Sequence, residues 1–260
     1  MLIKELLCNI DRAAPFAWAE EWDNPGLLLG DPESSVSRIA LSLDPDLESL
    51  KFALKKGCSV LVSHHPLIFS PLKRIDCSRG AGEAMAFAIK NNISVVSMHT
   101  NWDSAPDGVN AVLAGALGLE SVTPLIPSAR GAWGTGAVGR LARPIRCLEL
   151  GEKIRRTLNL SRLYFFGDPE RPAERLALCG GSGGGLWADA LKSGADAFLT
   201  SDVKYHERLE SLAGGLNLFV ADHGEAESFS LDALAAVLSG ASGLEVFIFR
   251  AERSHPLVFD

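Results

Sequence analysis

Two adjacent histidines, His64 and His65, close the apolar run Cys58-Ser59-Val60-Leu61-Val62. Imidazoles where a buried strand should stop are awkward packing groups and good metal ligands. Two more polar clusters follow apolar runs: Met98 to Asp103, after Ile93-Ser94-Val95-Val96, and Asp222 to Glu227, after Leu216 to Val220. Asp103 stands four residues beyond His99, and Glu227 four beyond His223. If a helix begins near Gly224, the i, i+4 spacing lets His223 and Glu227 face one point. Together His64, His65, Asp103, His223 and Glu227 supply three imidazoles and two carboxylates, without a thiolate. That is more than one closed tetrahedral site uses. It suits two metals sharing a bridging carboxylate, with positions left for water. Mixed nitrogen and oxygen donors admit Zn, Mn, Fe, Co or Ni.

Each residue also has an ordinary reading. In an extended chain neighbouring side chains point to opposite faces. His64 and His65 therefore share one metal only if the backbone turns, which Pro66 is consistent with, or each serves its own metal in a close pair. Alone, they would read as a core histidine beside an exposed one. Asp103 alone would read as a turn or cap carboxylate. His223 and Glu227 alone would be helix-end residues interacting with the dipole. What favours the metal site is the coincidence of three strand ends. His99 is a candidate proton-transfer group, or a further ligand, or a group that orients one. His206, in Thr200-Ser201-Asp202-Val203-Lys204-Tyr205-His206, is the second proton-transfer candidate, and Lys204 could neutralise a phosphate. The glycine run Gly180 to Gly185 (interrupted by Ser182) could cradle an anion, or simply be a tight strand-to-helix turn. It lacks the Lys-Ser/Thr of a P-loop.

The elements that would position these residues alternate between strand and helix patterns. Ile3, Leu6, Leu7 and Ile10 recur at helical spacing. Strands are expected at 38–43, 60–63 and 93–97, with helices at 82–91 and 108–117 between or after them. Asp44-Pro45 reads as an N-cap and first helical position, with Gly57 as the stop. This rhythm predicts an α/β fold with a largely parallel sheet. The Pro- and Gly-rich stretch 124–139 reads as a crossing into a second unit, with strands at 162–166, 175–178, 197–200 and 216–220. A helix at 231–238 and a strand at 244–249 follow. Because the His223 cluster must meet those at His64 and His99, the C-terminal segment is expected to return. The expected organisation is two α/β domains, the first discontinuous: 1–125 plus 223–260 bind metal, 126–222 form the second domain, and the dinuclear site lies in the cleft between them.

The 260 residues carry a formal net charge of -7. That argues against bulk electrostatic binding to nucleic acid or to an anionic membrane. No apolar run approaches the roughly 20 residues that span a bilayer. The N-terminus has no secretory-signal pattern. Five dispersed cysteines without a C-x-x-C pair point to a reduced, cytoplasmic protein whose thiols are neither staples nor ligands.

At this point the segments resemble a family. Glu20-Glu21-Trp22-Asp23-Asn24-Pro25-Gly26-Leu27, Ser63-His64-His65-Pro66-Leu67-Ile68-Phe69, His99-Thr100-Asn101-Trp102-Asp103, Cys179 to Gly183, Thr200 to His206 and His223 to Glu227 run in order along the chain. They resemble the GTP cyclohydrolase I type 2 homologues, the NIF-three-like family. The resemblance implies two α/β domains around a dinuclear metal centre, with ligand roles for His64, His65, Asp103, His223 and Glu227. It also implies a ring-like homohexamer with sites facing an internal cavity. The chain departs from the family pattern at Ser201, Gly224 and Ala226, and the last two flank the ligands His223 and Glu227 that the resemblance implies. The expected activity is metal-dependent hydrolysis of a nucleotide or other small phosphorylated substrate, GTP cyclohydrolase-like by resemblance. The alternative is a non-enzymatic metal-binding scaffold or regulatory protein.

Overall fold

A computed structural model describes residues 1–129, 131 and 133–251. The chain divides into two compact units, Met1–Trp102 with Leu231–Asp260 and Asp103–Ser230. Residues 252–260 of the expected first domain lie outside the described residues.

The first unit opens with helix α1 (Ile3–Ala13), whose Ile3, Leu6 and Ile10 are buried as their spacing demands. Strands β1 (Gly26–Leu29) and β2 (Arg38–Ser42) follow. Helix α2 (Leu47–Lys55) is capped by Asp46, whose carboxylate accepts from the Ser49 amide at 2.8 Å. The cap is therefore not Asp44, which is engaged elsewhere, as described below. Strand β3 (Val60–Ser63), helix α3 (Gly80–Lys90), strand β4 (Ser94–Ser97) and the single turn α4 (Thr100–Asp103) complete this part. Strands β2, β3 and β4 pair in parallel, and β1 adds antiparallel to β4. Leu61 and Val95 of the sheet pack with Leu50, Ala53, Met85 and Ala88 of α2 and α3. Strands with apolar side chains on both faces read as short continuous runs, and β3 and β4 do so.

The second unit begins at Asp103. It contains α5 (Val109–Ala116), β5 (Glu120–Thr123), the small pair β6 (Ile126–Pro127) and β7 (Gly134–Thr135), and the long β8 (Ala137–Arg146). Then come α6 (Cys147–Thr157), β9 (Leu163–Phe166), β10 (Pro172–Leu178), α7 (Trp187–Lys192), β11 (Ala197–Thr200), α8 (Tyr205–Ala213), β12 (Asn217–Ala221) and α9 (His223–Ser228). Its sheet runs β5-β8-β10-β11-β12-β9, with β10, β11 and β12 parallel and the other neighbours antiparallel. Ala177, Phe198, Leu216 and Leu218 form its core with Ala190 of α7.

The chain then returns to the first unit. Helix α10 (Leu231–Ser242) packs on α1, and β13 (Glu245–Ile248) adds parallel to β2, giving the order β1-β4-β3-β2-β13. The expected limits at 125 and 223 thus move to 102 and 230. The reason is pairing: β5 is hydrogen-bonded to β8, and α5 packs against β8 and β10, so residues 103–125 belong with the second sheet. The stretch 124–139 is not the crossing. Its C-terminal end already enters β8, whose Arg140, Arg143 and Arg146 hide the strand pattern.

Candidate metal centre

In the first unit the register places Ser42, Ser63 and Ser97 in one row, at the carboxyl ends of β2, β3 and β4. This is where parallel α/β sheets present their binding groups. The hydroxyls shape the chain just beyond. Ser42 Oγ donates to the Asp44 carbonyl (2.7 Å), Ser63 Oγ to that of His65 (2.7 Å), and Ser97 Oγ to that of His64 (3.0 Å). The His64 and His65 amides still donate to Ser42 and Leu43 carbonyls. The chain turns within two residues of Ser63, and the His64 and His65 rings come to lie with centroids 5.1 Å apart. His99 completes the group, 5.2 Å from His64 and 5.6 Å from His65, with its ring roughly edge-on to both. The three histidines offer ligand atoms within 4.8 Å of one another.

Each of these rings is fixed through Nδ1. His64 Nδ1 donates to the Met98 carbonyl at 2.9 Å, His65 Nδ1 to Asp44 at 2.7 Å, and His99 Nδ1 to Asp23 at 2.7 Å. An acceptor on Nδ1 sets the tautomer that carries its lone pair on Nε2, and it raises the basicity of that nitrogen. Asp23 is itself held. Its side chain is fully buried and accepts from the Thr100 amide at 3.0 Å and the Thr100 hydroxyl at 2.5 Å. Burial alone would push its pKa up. Hydrogen bonds from His99 and Thr100 outweigh it and lower the value from 3.8 to about 2. Asp23 is therefore an anion at neutral pH. Beside it, the exposed rings of Trp22 and Phe69 lie 5.9 and 6.2 Å from His99.

The second unit carries a different set: His223 and Glu227 just past the carboxyl end of β12, and Asp103 where the unit begins. Asp222 caps α9, accepting from the Glu225 amide, so the helix starts at His223 and brings Glu227 onto the same face. His223 Nδ1 donates to Asp202, just past β11, at 2.6 Å. Its Nε2 lies 3.0 Å from Glu227, whose side chain is nearly fully buried. Asp103 offers a carboxylate oxygen within 4.8 Å of Glu227. The Glu227 hydrogen bond raises the His223 pKa from 6.5 to about 9, against partial burial, with Asp202 adding to the rise. An imidazole clamped between two carboxylates stabilises a cation on Nε2, and a proton and a divalent metal compete for that place. Glu225 is not part of the set, because its Oε2 accepts from the Ser161 amide at 2.7 Å. Nor is Cys179. Burial first, then the charges of Asp103 and Glu227, push its thiol far above the ordinary value.

The glycine run after β10 is a close-packing turn. Gly181 has φ +70°, and a Cβ there would collide with the Glu227 carboxylate. A Cβ on Gly180 would come within 2.5 Å of Val109. The Gly180 amide donates to Asn110 at 3.0 Å, and Asn110 Nδ2 donates to the Asp103 carbonyl at 3.2 Å. The run thus seats Glu227 and ties Asp103 to the turn.

Of the residues singled out by sequence, His64, His65 and His99 come together in the first unit, and Asp103, His223 and Glu227 in the second. His206 joins neither set among the described residues. It is exposed on α8, its ring 5.2 Å from Tyr205. Lys204 is also exposed and pairs with Glu207 at 3.7 Å. Sequence reasoning missed the roles of Asp23, Asp44 and Asp202. They stand 76, 21 and 21 residues from the histidines they hold, beyond any local spacing rule.

A sequence model of the family described as Duf34/NIF3 (NGG1p interacting factor 3) matches residues 1–255. The chain belongs to this family. Among its relatives, a Streptomyces coelicolor protein named "GTP cyclohydrolase 1 type 2 homolog" is 35% identical over 216 residues, covering 81% of this chain and 76% of the relative. A Clostridium acetobutylicum protein of the same name is 31% identical, covering 90% and 89%. A hypothetical protein of Staphylococcus aureus matches in structure with a TM-score of 0.90 at 27% identity, covering 100% of this chain and 99% of that one. The mixed α/β fold of this family member is therefore shared with solved family structures. Its imidazoles and carboxylates form groups that can hold metal ions. No helix among the described residues is long and apolar enough to cross a membrane.

Proposed function

We propose that the chain holds two divalent metal ions through His64, His65, Asp103, His223 and Glu227, and that it hydrolyses a nucleotide or other small phosphorylated substrate. The observation that carries this reading is the treatment of the histidines. His64, His65 and His223 each lie past a parallel strand, and each has its Nδ1 committed to an oxygen acceptor. Imidazoles held this way are built to ligate through Nε2. The donor chemistry fits the metals: imidazoles from one unit, an imidazole and two carboxylates from the other, and no thiolate. Divalent metals bound there would supply Lewis acidity, making water acidic enough to attack near neutral pH and polarising the bond under attack.

The chain's own residues do the rest. Asp44, Asp202 and the Met98 carbonyl keep the imidazoles in the ligating tautomer. Glu227 and Asp103 provide charge to offset the metals. His99, with Asp23 behind it, is the group placed to move a proton, whereas His206 and Lys204 are surface residues. The names of the relatives support a GTP cyclohydrolase-like substrate class. We extend the proposal to a cytoplasmic homohexamer, by resemblance to the family. The test is elemental analysis of the purified protein beside His64→Ala/His223→Ala, followed by a screen of nucleotides and phosphoesters. About two metal equivalents per chain, lost in the variant, with metal-dependent turnover of one of these compounds, is the expected result. No stoichiometric metal after reconstitution with Zn or Mn overturns it.

A further inference from the structure

We infer that the first unit is a metal site in its own right: His64, His65 and His99 form a three-imidazole set that captures one divalent ion without any ligand from the second unit. The inference rests on the metal-binding reading above and adds a ligand, His99, and an order of loading.

Three observations carry it. The ligand atoms of the three rings lie within 4.8 Å of one another, close enough for one ion to draw them together. His99 has the same preparation as the other histidines. Its Nδ1 is held by an acceptor, here a buried carboxylate that also accepts from the Thr100 amide and hydroxyl, so that Nε2 carries the lone pair. A histidine serving only to pack the core needs no buried anion behind it. Finally, charge is supplied from behind. Asp23 and Asp44 stand one hydrogen bond away from His99 and His65, two negative charges against the two of a divalent ion. Neutral imidazoles with carboxylates behind them, as at His65 and His99, form the carboxylate–histidine–metal arrangement; with His64, held on the Met98 carbonyl, the three rings leave an open position for water or for a further ligand.

The ligand class follows from the donors. An all-imidazole set favours Zn, Co and Ni over Mn or Mg, whereas the two carboxylates of the second unit form a harder set. Capture by the first unit would thus precede completion by Asp103, His223 and Glu227, which would release His99 for proton transfer.

The test uses the full chain. Wild type, Asp103→Asn/His223→Ala/Glu227→Gln, and the same variant with His99→Ala are stripped with chelator and titrated with Zn(II) or Co(II). Bound metal is counted by mass spectrometry, and circular dichroism checks folding. About two equivalents in wild type, about one in the triple variant, and at least a tenfold weaker affinity once His99 is removed are expected. Two equivalents in wild type but none in the folded triple variant overturn the inference while leaving the dinuclear reading intact. So does one equivalent that survives His99→Ala. No metal in wild type overturns both. A measurement on wild type alone guards against a misfolded variant. One equivalent of Zn(II) should shift the His99 Nε2 nitrogen NMR signal together with those of His64 and His65, and an unmoved His99 signal refutes the proposal.

Discussion

Replacing Asp23 by Asn keeps the shape of the side chain and removes its charge. The structure fixes the size of the effect. Burial disfavours the carboxylate, yet the hydrogen bonds from His99 and Thr100 win and bring its pKa from 3.8 to about 2. At about 1.4 kcal/mol per pH unit, the anion contributes about 2 kcal/mol to folding at neutral pH. Because the folded value is depressed, that contribution is complete above the unfolded pKa near 4 and is lost as pH falls through about 2. At about pH 3 roughly half remains. The assay is urea unfolding of metal-free protein, wild type against Asp23→Asn, at neutral pH and near pH 3. A deficit of about 2 kcal/mol shrinking to about 1 is expected. A deficit below about 0.5 kcal/mol at neutral pH, or one that does not shrink in acid, refutes the account of Asp23 as a held anion. The variant has a second consequence. An Asn amide can donate to His99 Nδ1, which moves the ring proton to Nε2 and removes its lone pair. Nitrogen NMR should therefore show the opposite His99 tautomer in Asp23→Asn.

Further outcomes follow from the same geometry. His223 has a raised pKa, so its ion pair with Glu227 and Asp202 stabilises the metal-free protein fully below about pH 6.5, and this is lost as pH rises through about 9. Metal binding runs the other way, because the proton must leave Nε2, so Zn affinity should climb with pH up to about 9; a flat profile between about pH 6 and 9 would count against the proton–metal competition. Gly181→Ala places a Cβ against the Glu227 carboxylate at a backbone position with positive φ, so a loss of about 1–3 kcal/mol and weaker metal binding are expected in thermal melts and metal counts. His206→Ala and Lys204→Ala alter exposed groups on α8 and its cap, and metal content should stay at the wild-type level; a fall would show that one of them reaches the site.

Much of this protein was legible in its sequence. The apolar runs ending at Ser63 and Ser97 announced parallel strands, and the polar clusters beyond them announced the binding edge, because both signals are local. The i, i+4 pair His223 and Glu227 needed only a helix start, which Asp222 supplies as cap. The family was legible too, since its motifs are short and contiguous. Some things only tertiary structure decided. Asp44 looked like a helix cap because nothing local shows that Asp46 does the capping and that Asp44 binds His65 instead. β8 was hidden because its identity as a strand comes from pairing with β5 and β10 rather than from its own arginine-rich pattern. The glycine run was ambiguous until the Glu227 carboxylate was found against Gly181. Above all, the carboxylates that ready the histidines are distant in sequence, Asp23 lying 76 residues from His99. Periodicity and capping act over a few residues and can be read along the chain. A hydrogen bond between two strand ends exists only once the sheet has set them side by side.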